Sequence, residues 1–271
     1  NLKRKAVTGR TCQLLRLLPG TSCFEVMLNR RMPNGTYWWC ERGIKFPLLD
    51  HMSGVKLPVL LEKIINEKVC KRKMYEIDSS IEYYNINAKK FAEETVSVDF
   101  EATQKRFQDK LSPNAVILDF GCGSGRDTKF FLEQGYSVEA IDGSSELCKI
   151  ASEYTGIKVK QMLFQDLAEI KKYDGIWACS SILHVPYERL ADIIAKMAAA
   201  LKDRGIIYTS FKYGTYEGIR KERYFTDMTE DKFANLLKDA EHVRIEEQWL
   251  TFDARPGRGE EQWLNLILRK K

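Results

Sequence analysis

The chain has 271 residues, of which 44% are hydrophobic and 30% are charged, and this composition excludes disordered, collagen-like and fibrous proteins. No segment approaches the ~18 uncharged apolar residues that a membrane span requires, and no signal-peptide pattern opens the sequence. We therefore expect a soluble, cytoplasmic protein without a membrane partner. The seven cysteines are widely spaced and include no CxxC pair, which favours reduced thiols over disulfides. The same spacing disfavours a metal site, although a zinc site stays open as an alternative for Cys12, Cys23, Cys40, Cys70 and His51.

Charge divides the chain into a basic first quarter and a mildly acidic remainder. Residues 1–75 carry 15 Lys and Arg against 5 Asp and Glu, whereas residues 76–271 carry 28 against 33. Such asymmetry can mark a contact with nucleic acid, or it can be a solvated surface that balances an acidic neighbour. We expect two domains, a small basic accessory domain at 1–75 and a larger domain at 76–271.

The accessory domain is expected to contain a β-hairpin and a helix. Alternation of apolar and polar residues at Phe24–Leu28 and the aromatic run at Thr36–Glu41 predict two strands, with turn residues at Pro33–Gly35 between them. Pro58, followed by the apolar run Val59–Ile65, predicts a helix with proline in its first turn. No catalytic motif occurs in this region.

Short apolar strands alternate with amphipathic helices from residue 115 onward. Alternating βα units predict an α/β fold, in which a Rossmann-like sheet of seven mostly parallel strands is covered by helices on both faces. Ligands of such sheets bind at the carboxyl ends of the strands, where the winding reverses. The strands are predicted at 115–119, 136–141, 157–162, 173–178, 206–211, 243–250 and 263–268, and the helices at 128–134, 144–156, 190–201 and after Thr229.

A glycine-rich turn, Asp119–Asp127, lies between the first strand and the first helix of this pattern. It fails the dinucleotide pattern GxGxxG in both registers, because Arg126 and Thr128 stand where the third glycine is required. It also fails the P-loop pattern, because no Gly-Lys-Ser/Thr ends the turn. Glycines at alternate positions let the backbone turn sharply and approach a ligand without a Cβ in the way.

This turn resembles motif I of the class I S-adenosylmethionine-dependent methyltransferases, D/E-x-G-x-G-x-G, with Asp119, Gly121, Gly123 and Gly125 at its fixed positions. The resemblance extends over about residues 80–271. It implies that fold, methyl transfer as the activity, and S-adenosylmethionine as the cofactor, with S-adenosylhomocysteine as the product. The cofactor has no phosphate, so such a turn need not be an anion cradle.

The resemblance also implies roles for single residues. Asp119 would bind the ammonium group of the cofactor, and Asp142, at the end of the second strand, would accept both ribose hydroxyls. Asp166 would accept from the adenine amino group beside Leu167, although a helix N-cap is an alternative role for Asp166. Tyr84 would cover the cofactor, because Tyr83–Phe91 resembles the lid helix of the small-molecule branch that includes the tellurite-resistance and ubiquinone-type enzymes. The other expected cofactor contacts are Cys122, Gly143, Ser144 and Cys179.

The segment Tyr173–Ser181 resembles motif IV, whose end faces the methyl group in this family. It ends in Cys-Ser-Ser rather than Asn-Pro-Pro-Tyr or Pro-Cys, which disfavours the enzymes that methylate exocyclic amines or cytosine C5 in DNA. The ribose 2′-O enzymes require an aspartate near residue 180, and none is there. His184 follows motif IV and could act as a general base, or it could only line the pocket.

Loops after the fifth strand and in the last turn overhang the active site in this fold. They supply candidate substrate-binding residues for an anionic acceptor, with solvated charges or an Arg–Asp pair as the alternative. These candidates are Lys212, Tyr213, Arg223, Arg255 and Arg258.

Three functions remain open from the sequence. The first is a methyltransferase that acts on a small molecule, which the lid-like segment favours. The second is a methyltransferase for RNA or DNA that binds its substrate through residues 1–75. The third is a non-catalytic regulatory module that binds S-adenosylmethionine.

Overall fold

The computed structural model describes residues 79–271 apart from 239, 241 and 256, together with the backbone of three strands between residues 27 and 48. The chain divides into two units, Asn1–Lys68 and Val69–Lys271. The domain boundary expected from the sequence lies between residues 75 and 76. No helix among the described residues is both long and apolar enough to cross a membrane.

The described part of the first unit is an antiparallel sheet of three short strands. These are β1 (Met27–Asn29), β2 (Tyr37–Glu41) and β3 (Ile44–Leu48), in the order β1-β2-β3. The helix predicted at Val59–Ile65 lies outside the described residues, as do Cys12, Cys23, Cys70 and His51.

The second unit is built on a seven-stranded sheet, whose strands are β4 (Val116–Phe120), β5 (Ser137–Asp142), β6 (Lys160–Gln161), β7 (Tyr173–Ala178), β8 (Leu201–Lys212), β11 (Val243–Phe252) and β12 (Gln262–Lys270). Their order across the sheet is β11-β12-β8-β7-β4-β5-β6. The five strands from β8 to β6 run parallel, and β12 and β11 are antiparallel to their neighbours. This confirms the predicted α/β architecture. Outside this sheet, β9 (Glu217–Arg220) and β10 (Arg223–Thr226) form a separate hairpin.

Helices cover both faces of this sheet. Side chains alternate along β4, so Ile117 packs into one apolar cluster with Phe131 of a helix, whereas Leu118 packs into another cluster with Leu190 and Ile194. This alternation is the period of two that a strand buried on both faces imposes. The helices are α1 (79–86), α2 (Ala88–Thr95), α3 (Glu101–Gln108), α4 (Arg126–Glu133), α5 (Ser145–Thr155), α6 (Tyr187–Ala200) and α7 (Glu230–Leu236).

The predicted elements and the observed ones differ mainly at the sheet edge and in the connections. The third predicted strand, 157–162, shortens to Lys160–Gln161, where it is an edge strand bonded to β5 alone. Helix α3 and the β9–β10 hairpin were not predicted. Two helices begin with a side-chain cap, because the Ser144 side chain accepts from the Leu147 N–H and the Thr229 side chain accepts from the Lys232 N–H.

Candidate active site

A cavity of about 670 Å³ lies at the carboxyl ends of the parallel strands. Its wall includes Gly121 after β4, Asp142 at the end of β5, Cys179 after β7 and Lys212 at the end of β8. Strand β4 lies between β5 and β7, where the winding of the sheet reverses. Ligands of open α/β sheets bind outside such a reversal, so the cavity is the expected site.

The turn from β4 into α4 cannot carry side chains at its glycines. Gly121 and Gly125 have φ angles of +88° and +82°, a left-handed conformation that glycine adopts without a steric penalty. A Cβ on Gly121 would lie 2.5 Å from the Cβ of Ser181, and a Cβ on Gly125 would lie 2.8 Å from Cγ2 of Thr155. The turn therefore presents bare backbone to the cavity at Gly121.

Three successive N–H groups of this turn form hydrogen bonds within the protein. Gly121 and Cys122 both donate to the carbonyl oxygen of Ile141, at 2.9 and 3.0 Å. The Gly123 N–H donates to Oδ2 of Asp142 at 2.9 Å. A phosphate site at the start of a helix needs N–H groups that point at the anion. These internal bonds occupy the N–H groups of three residues in the turn, which favours a ligand without a phosphate at that position.

Asp142 places a carboxylate beside the glycine turn. Its Oδ1 accepts from the Ser144 N–H at 2.8 Å, and its Oδ2 accepts from Gly123. Burial raises the pKa of Asp142, and these two N–H donors oppose that rise. Each carboxylate oxygen can accept more than one hydrogen bond, so Asp142 retains acceptor capacity for a vicinal diol such as a ribose.

A cluster of buried charged groups lies at the start of α4. Asp127 accepts hydrogen bonds from Gln104 Nε2, Arg126 Nε and Trp177 Nε1, at 2.7 to 2.8 Å. The Arg126 guanidinium lies over the Phe100 ring, 4.7 Å from its centroid. Both Arg126 and Asp127 line the cavity, although neither was predicted to belong to the site.

Asp119 lies behind the cavity wall rather than in it. The residue is 2% exposed, and its Oδ2 accepts from the Thr128 hydroxyl at 2.6 Å. Burial, together with the negative charge of Asp127, raises the pKa of Asp119 above its usual range. A contact between Asp119 and a ligand ammonium remains a prediction from the family resemblance.

The short 3₁₀ turn Phe164–Asp166 forms the wall near β6. Phe164 and Gln165 line the cavity, whereas Asp166 is exposed outside the wall and Leu167 packs into the apolar core. The residue that reaches the cavity here is thus Gln165, and not the predicted Asp166. The adenine contact of Asp166 and Leu167 remains a prediction.

Tyr84, His184 and Arg223 form a hydrogen-bonded cluster in the cavity wall. The Tyr84 hydroxyl lies 2.9 Å from Nε2 of His184, and the Arg223 guanidinium donates to the Tyr84 oxygen at 3.2 Å. Nδ1 of His184 lies 2.6 Å from the carbonyl oxygen of Tyr224. A carbonyl only accepts, so Nδ1 carries the proton and Nε2 accepts from Tyr84.

Burial keeps this cluster neutral apart from Arg223. It lowers the pKa of His184 to about 4, and it raises the pKa of the Tyr84 hydroxyl, which the positive charge of Arg223 opposes. At neutral pH, His184 is therefore an uncharged imidazole with an acceptor at Nε2, the state in which a general base must be before it takes up a proton.

The titration of His184 gives a measurable stability effect. Its pKa is about 4 in the folded protein against about 6.5 in an unfolded chain. Between these values the unfolded chain binds more protons, so the His184 contribution to the free energy of unfolding is lost as the pH falls from about 7 to about 4. We expect the stability difference between wild type and His184→Gln to become less favourable to wild type over that range in denaturant titrations. A difference that is independent of pH would contradict the buried neutral imidazole.

Helix α1 connects the two ends of the cavity. Asn85 Oδ1 accepts from the Ser144 hydroxyl at 2.7 Å beside the glycine turn. At the other end, the Tyr224 N–H donates to the Ser80 hydroxyl at 2.9 Å, which joins α1 to β10. With Tyr84 between these contacts, α1 lies across the cavity as a lid would, and a side chain near each end of the helix holds it to a neighbouring element.

The other end of the cavity is lined by charged residues from the β9–β10 hairpin and the β11–β12 turn. All five candidate substrate-binding residues, Lys212, Tyr213, Arg223, Arg255 and Arg258, line the cavity. Arg255 forms a two-point ion pair with Asp253, in which its Nε lies 2.9 Å from Oδ1. For Arg255 the structure thus has the Arg–Asp pair that was the alternative to a role in substrate binding.

The structure brings most of the predicted cofactor residues together. Those that line the cavity are Tyr84, Gly121, Cys122, Gly123, Asp142, Gly143, Ser144 and Cys179, and those outside its wall are Asp119, Gly125, Asp166 and Leu167. Among the residues that the structure describes, no group of three or more His, Cys, Asp or Glu could hold a metal ion.

Sequence comparisons agree with this geometry. Residues 117–205 match a family described as a methyltransferase domain. An uncharacterized methyltransferase of Staphylococcus carnosus (strain TM300) is 29% identical over 126 residues, which are 45% of this chain and 59% of that protein. An uncharacterized methyltransferase of Geobacillus sp. (strain WCH70) is 35% identical over 91 residues, which are 32% of this chain and 43% of that protein. The matches thus span less than two thirds of the length of either relative.

A solved structure shares the fold over most of the chain. The 1,6-didemethyltoxoflavin-N1-methyltransferase of Burkholderia thailandensis, with bound 1,6-didemethyltoxoflavin and S-adenosylhomocysteine, is 20% identical with a TM-score of 0.56. The match covers 87% of this chain and 96% of that one. The chain therefore shares the Rossmann-like fold of that enzyme, and its similarity to the methyltransferase-domain family extends over residues 117–205.

Proposed function

We propose that the chain is an S-adenosylmethionine-dependent methyltransferase that acts on a small molecule. One observation carries the cofactor assignment. In the turn after β4 the N–H groups of three successive residues bond to Ile141 and Asp142, and the Asp142 carboxylate lines the cavity beside bare glycine backbone. Such a site offers acceptors for hydroxyl groups and few donors for a phosphate.

The residues present fit this cofactor. Asp142 has acceptor capacity for ribose hydroxyls, and a Cβ at Gly121 would fill space that is already taken by Ser181. Phe164 and Met162 give the wall near β6 an apolar surface for the adenine ring of the cofactor. When it is bound, the cofactor supplies a methyl group on a sulfonium, a carbon that is already activated for displacement. The protein therefore contributes mainly alignment and the exclusion of water.

His184 and Tyr84 can receive a proton that the acceptor loses. The Tyr84 oxygen can accept it while the Tyr84 hydroxyl proton passes to Nε2 of His184 along their 2.9 Å hydrogen bond. The Tyr224 carbonyl holds Nδ1–H and so keeps the ring in the tautomer that this transfer requires. His184 is thus proposed as the base, acting through Tyr84.

The small-molecule acceptor is supported by the enclosure of the cavity. Helix α1 crosses it, and Tyr84, in the segment that resembles the lid of the tellurite-resistance-like branch, lines it. The Burkholderia structure with the same fold holds 1,6-didemethyltoxoflavin. The nucleic-acid alternative depended on residues 1–75, and the described residues add no support to it.

Titration calorimetry with S-adenosylhomocysteine, NAD⁺ and ATP tests the cofactor assignment. We expect S-adenosylhomocysteine to bind at one site per chain and at least about a hundredfold more tightly than the two phosphate-bearing nucleotides, a difference of about 2.7 kcal/mol. Equal or tighter binding of NAD⁺ or ATP would contradict the assignment. Formation of S-adenosylhomocysteine from S-adenosylmethionine in the presence of an acceptor then separates the enzyme from the non-catalytic module.

A further inference from the structure

Part of the positive charge at the acceptor end of the cavity is neutralised by carboxylates. Three basic side chains that line it form ion pairs within the protein. The pairs are Lys212 with Glu261, Arg220 with Asp227, and Arg255 with Asp253. A charge that is paired in this way has little left for an anionic ligand, because its best hydrogen bonds are already made.

Arg223 is different from these three. It lines the same cavity, yet no carboxylate among the described residues lies within ion-pair distance of it. Its guanidinium lies 4.5 Å from the ring centroid of Tyr83 and 5.2 Å from that of Phe225. Its hydrogen bond to Tyr84 uses one terminal nitrogen, and its Nε is buried without a partner.

In this environment a guanidinium without a counter-ion is energetically unfavourable. Arg223 is only partly buried, but its Nε is fully buried, and a cation in such a place loses hydration that aromatic faces replace only in part. The described residues thus leave Arg223 with unused charge and unused donors at the wall of the cavity. A carboxylate is the group whose planar pair of oxygens best matches a guanidinium.

We propose that the methyl acceptor is a small aromatic carboxylate and that its carboxylate binds Arg223. This inference rests on the proposed methyltransferase function and adds the substrate class to it. Phe252, the last residue of β11, lines the cavity with 62% of its surface exposed and provides an apolar face for a ring. Lys221 and Arg258 also line the cavity and have no carboxylate within ion-pair distance among the described residues, so they add positive potential that attracts an anion.

The specificity of this site can be measured with matched acids and amides. The protein is saturated with S-adenosylhomocysteine and titrated by calorimetry with benzoate, salicylate, anthranilate and nicotinate, each paired with its primary amide. We expect acids of this panel to bind at least about tenfold more tightly than their amides, as a charge-assisted hydrogen bond requires. Arg223→Met, which keeps a long apolar stem against the aromatic rings, is expected to abolish this preference, and Arg223→Lys to retain part of it.

Arg244→Met is the matched control. Arg244 is exposed on β11, with a side chain 57% accessible and its nearest carboxylate 3.8 Å away, so its loss removes one positive charge outside the cavity. We expect this variant to keep the preference for acids. Amides that bind as tightly as acids, acids that fail to bind, or an acid preference that survives Arg223→Met would each overturn the inference.

The same titration separates the two proposals. Loss of the acid preference in Arg223→Met with unchanged affinity for S-adenosylhomocysteine supports both of them. Binding of S-adenosylhomocysteine to wild type without binding of any acid removes the aromatic carboxylate and leaves the methyltransferase proposal intact. Failure of wild type to bind S-adenosylhomocysteine removes the proposed function and the substrate class together.

Discussion

Replacement of Asp127 by alanine is expected to lower the free energy of unfolding by about 3–5 kcal/mol, the usual cost of removing one partner of a buried ion pair. Asp127 is 7% exposed and accepts from Gln104, Arg126 and Trp177. Burial opposes the ionisation of Asp127, but the charge and hydrogen bonds of Arg126 outweigh it and lower the pKa of this carboxyl group. Its stabilising contribution is therefore present at neutral pH and is lost as the pH falls through that lowered pKa.

Two further variants identify the cause of this loss. In the double variant Arg126→Met/Asp127→Ala no cation is left unpaired, so we expect it to be more stable than Asp127→Ala alone. Asp109→Ala removes a carboxylate from the exposed pair Lys105–Asp109, and we expect a change below about 1 kcal/mol. Chemical denaturation of the four proteins measures these values. A double variant as unstable as Asp127→Ala would show that the unpaired charge of Arg126 is not responsible.

Replacement of Asp142 by alanine is expected to weaken the binding of S-adenosylhomocysteine by about 1–3 kcal/mol. The variant loses the acceptors for the ribose hydroxyls, and the Gly123 and Ser144 N–H groups lose the carboxylate that now binds them. Asp142→Asn is expected to weaken binding as well, because its amide nitrogen would face a backbone N–H donor instead of accepting from it.

The control for Asp142 lies on the same strand. Glu139 precedes it on β5, is exposed, and pairs with Lys172 on the outside of the sheet. Glu139→Ala is expected to leave the affinity for S-adenosylhomocysteine unchanged within experimental error. Calorimetric titration of the three variants measures the effect, and an Asp142→Ala protein that binds as tightly as wild type would remove Asp142 from the cofactor site.

The sequence predicted the part of the site that depends on strand ends. Short apolar runs locate β4 and β5, and the residues at their carboxyl ends, Gly121 and Asp142, must then lie at one edge of a parallel sheet. The glycine pattern also predicted a turn without side chains, which the positive φ angle of Gly121 confirms. These features are local, so they can be read from neighbouring residues.

The β9–β10 hairpin was not predicted because its turn lacks the usual residues. Two-residue hairpin turns with positive φ angles favour Asn-Gly or Asp-Gly, whereas Lys221 and Glu222 adopt φ angles of +47° and +65°. The sequence therefore indicated a loop where the structure has two strands. This hairpin carries Arg220 and Arg223, so the acceptor end of the cavity was predicted only as a set of charged residues.

Charge partners depend on tertiary contacts and could not be assigned from the sequence. Lys212 pairs with Glu261, which is far from it along the chain, because β8 and β12 are antiparallel neighbours. The same limit applies to the wall near β6, where a short 3₁₀ turn brings Gln165 rather than Asp166 to the cavity. A shift of one residue in such a turn changes which side chain reaches a ligand, and no periodicity encodes it.

A crystal structure with S-adenosylhomocysteine tests the central claim most directly. We predict that both ribose hydroxyls donate to the Asp142 carboxylate, that the backbone at Gly121 contacts the ligand, and that the sulfur faces the side of the cavity that holds Tyr84 and His184. A ligand whose ribose lies away from Asp142, or a nucleotide phosphate bound at the turn after β4, would contradict it.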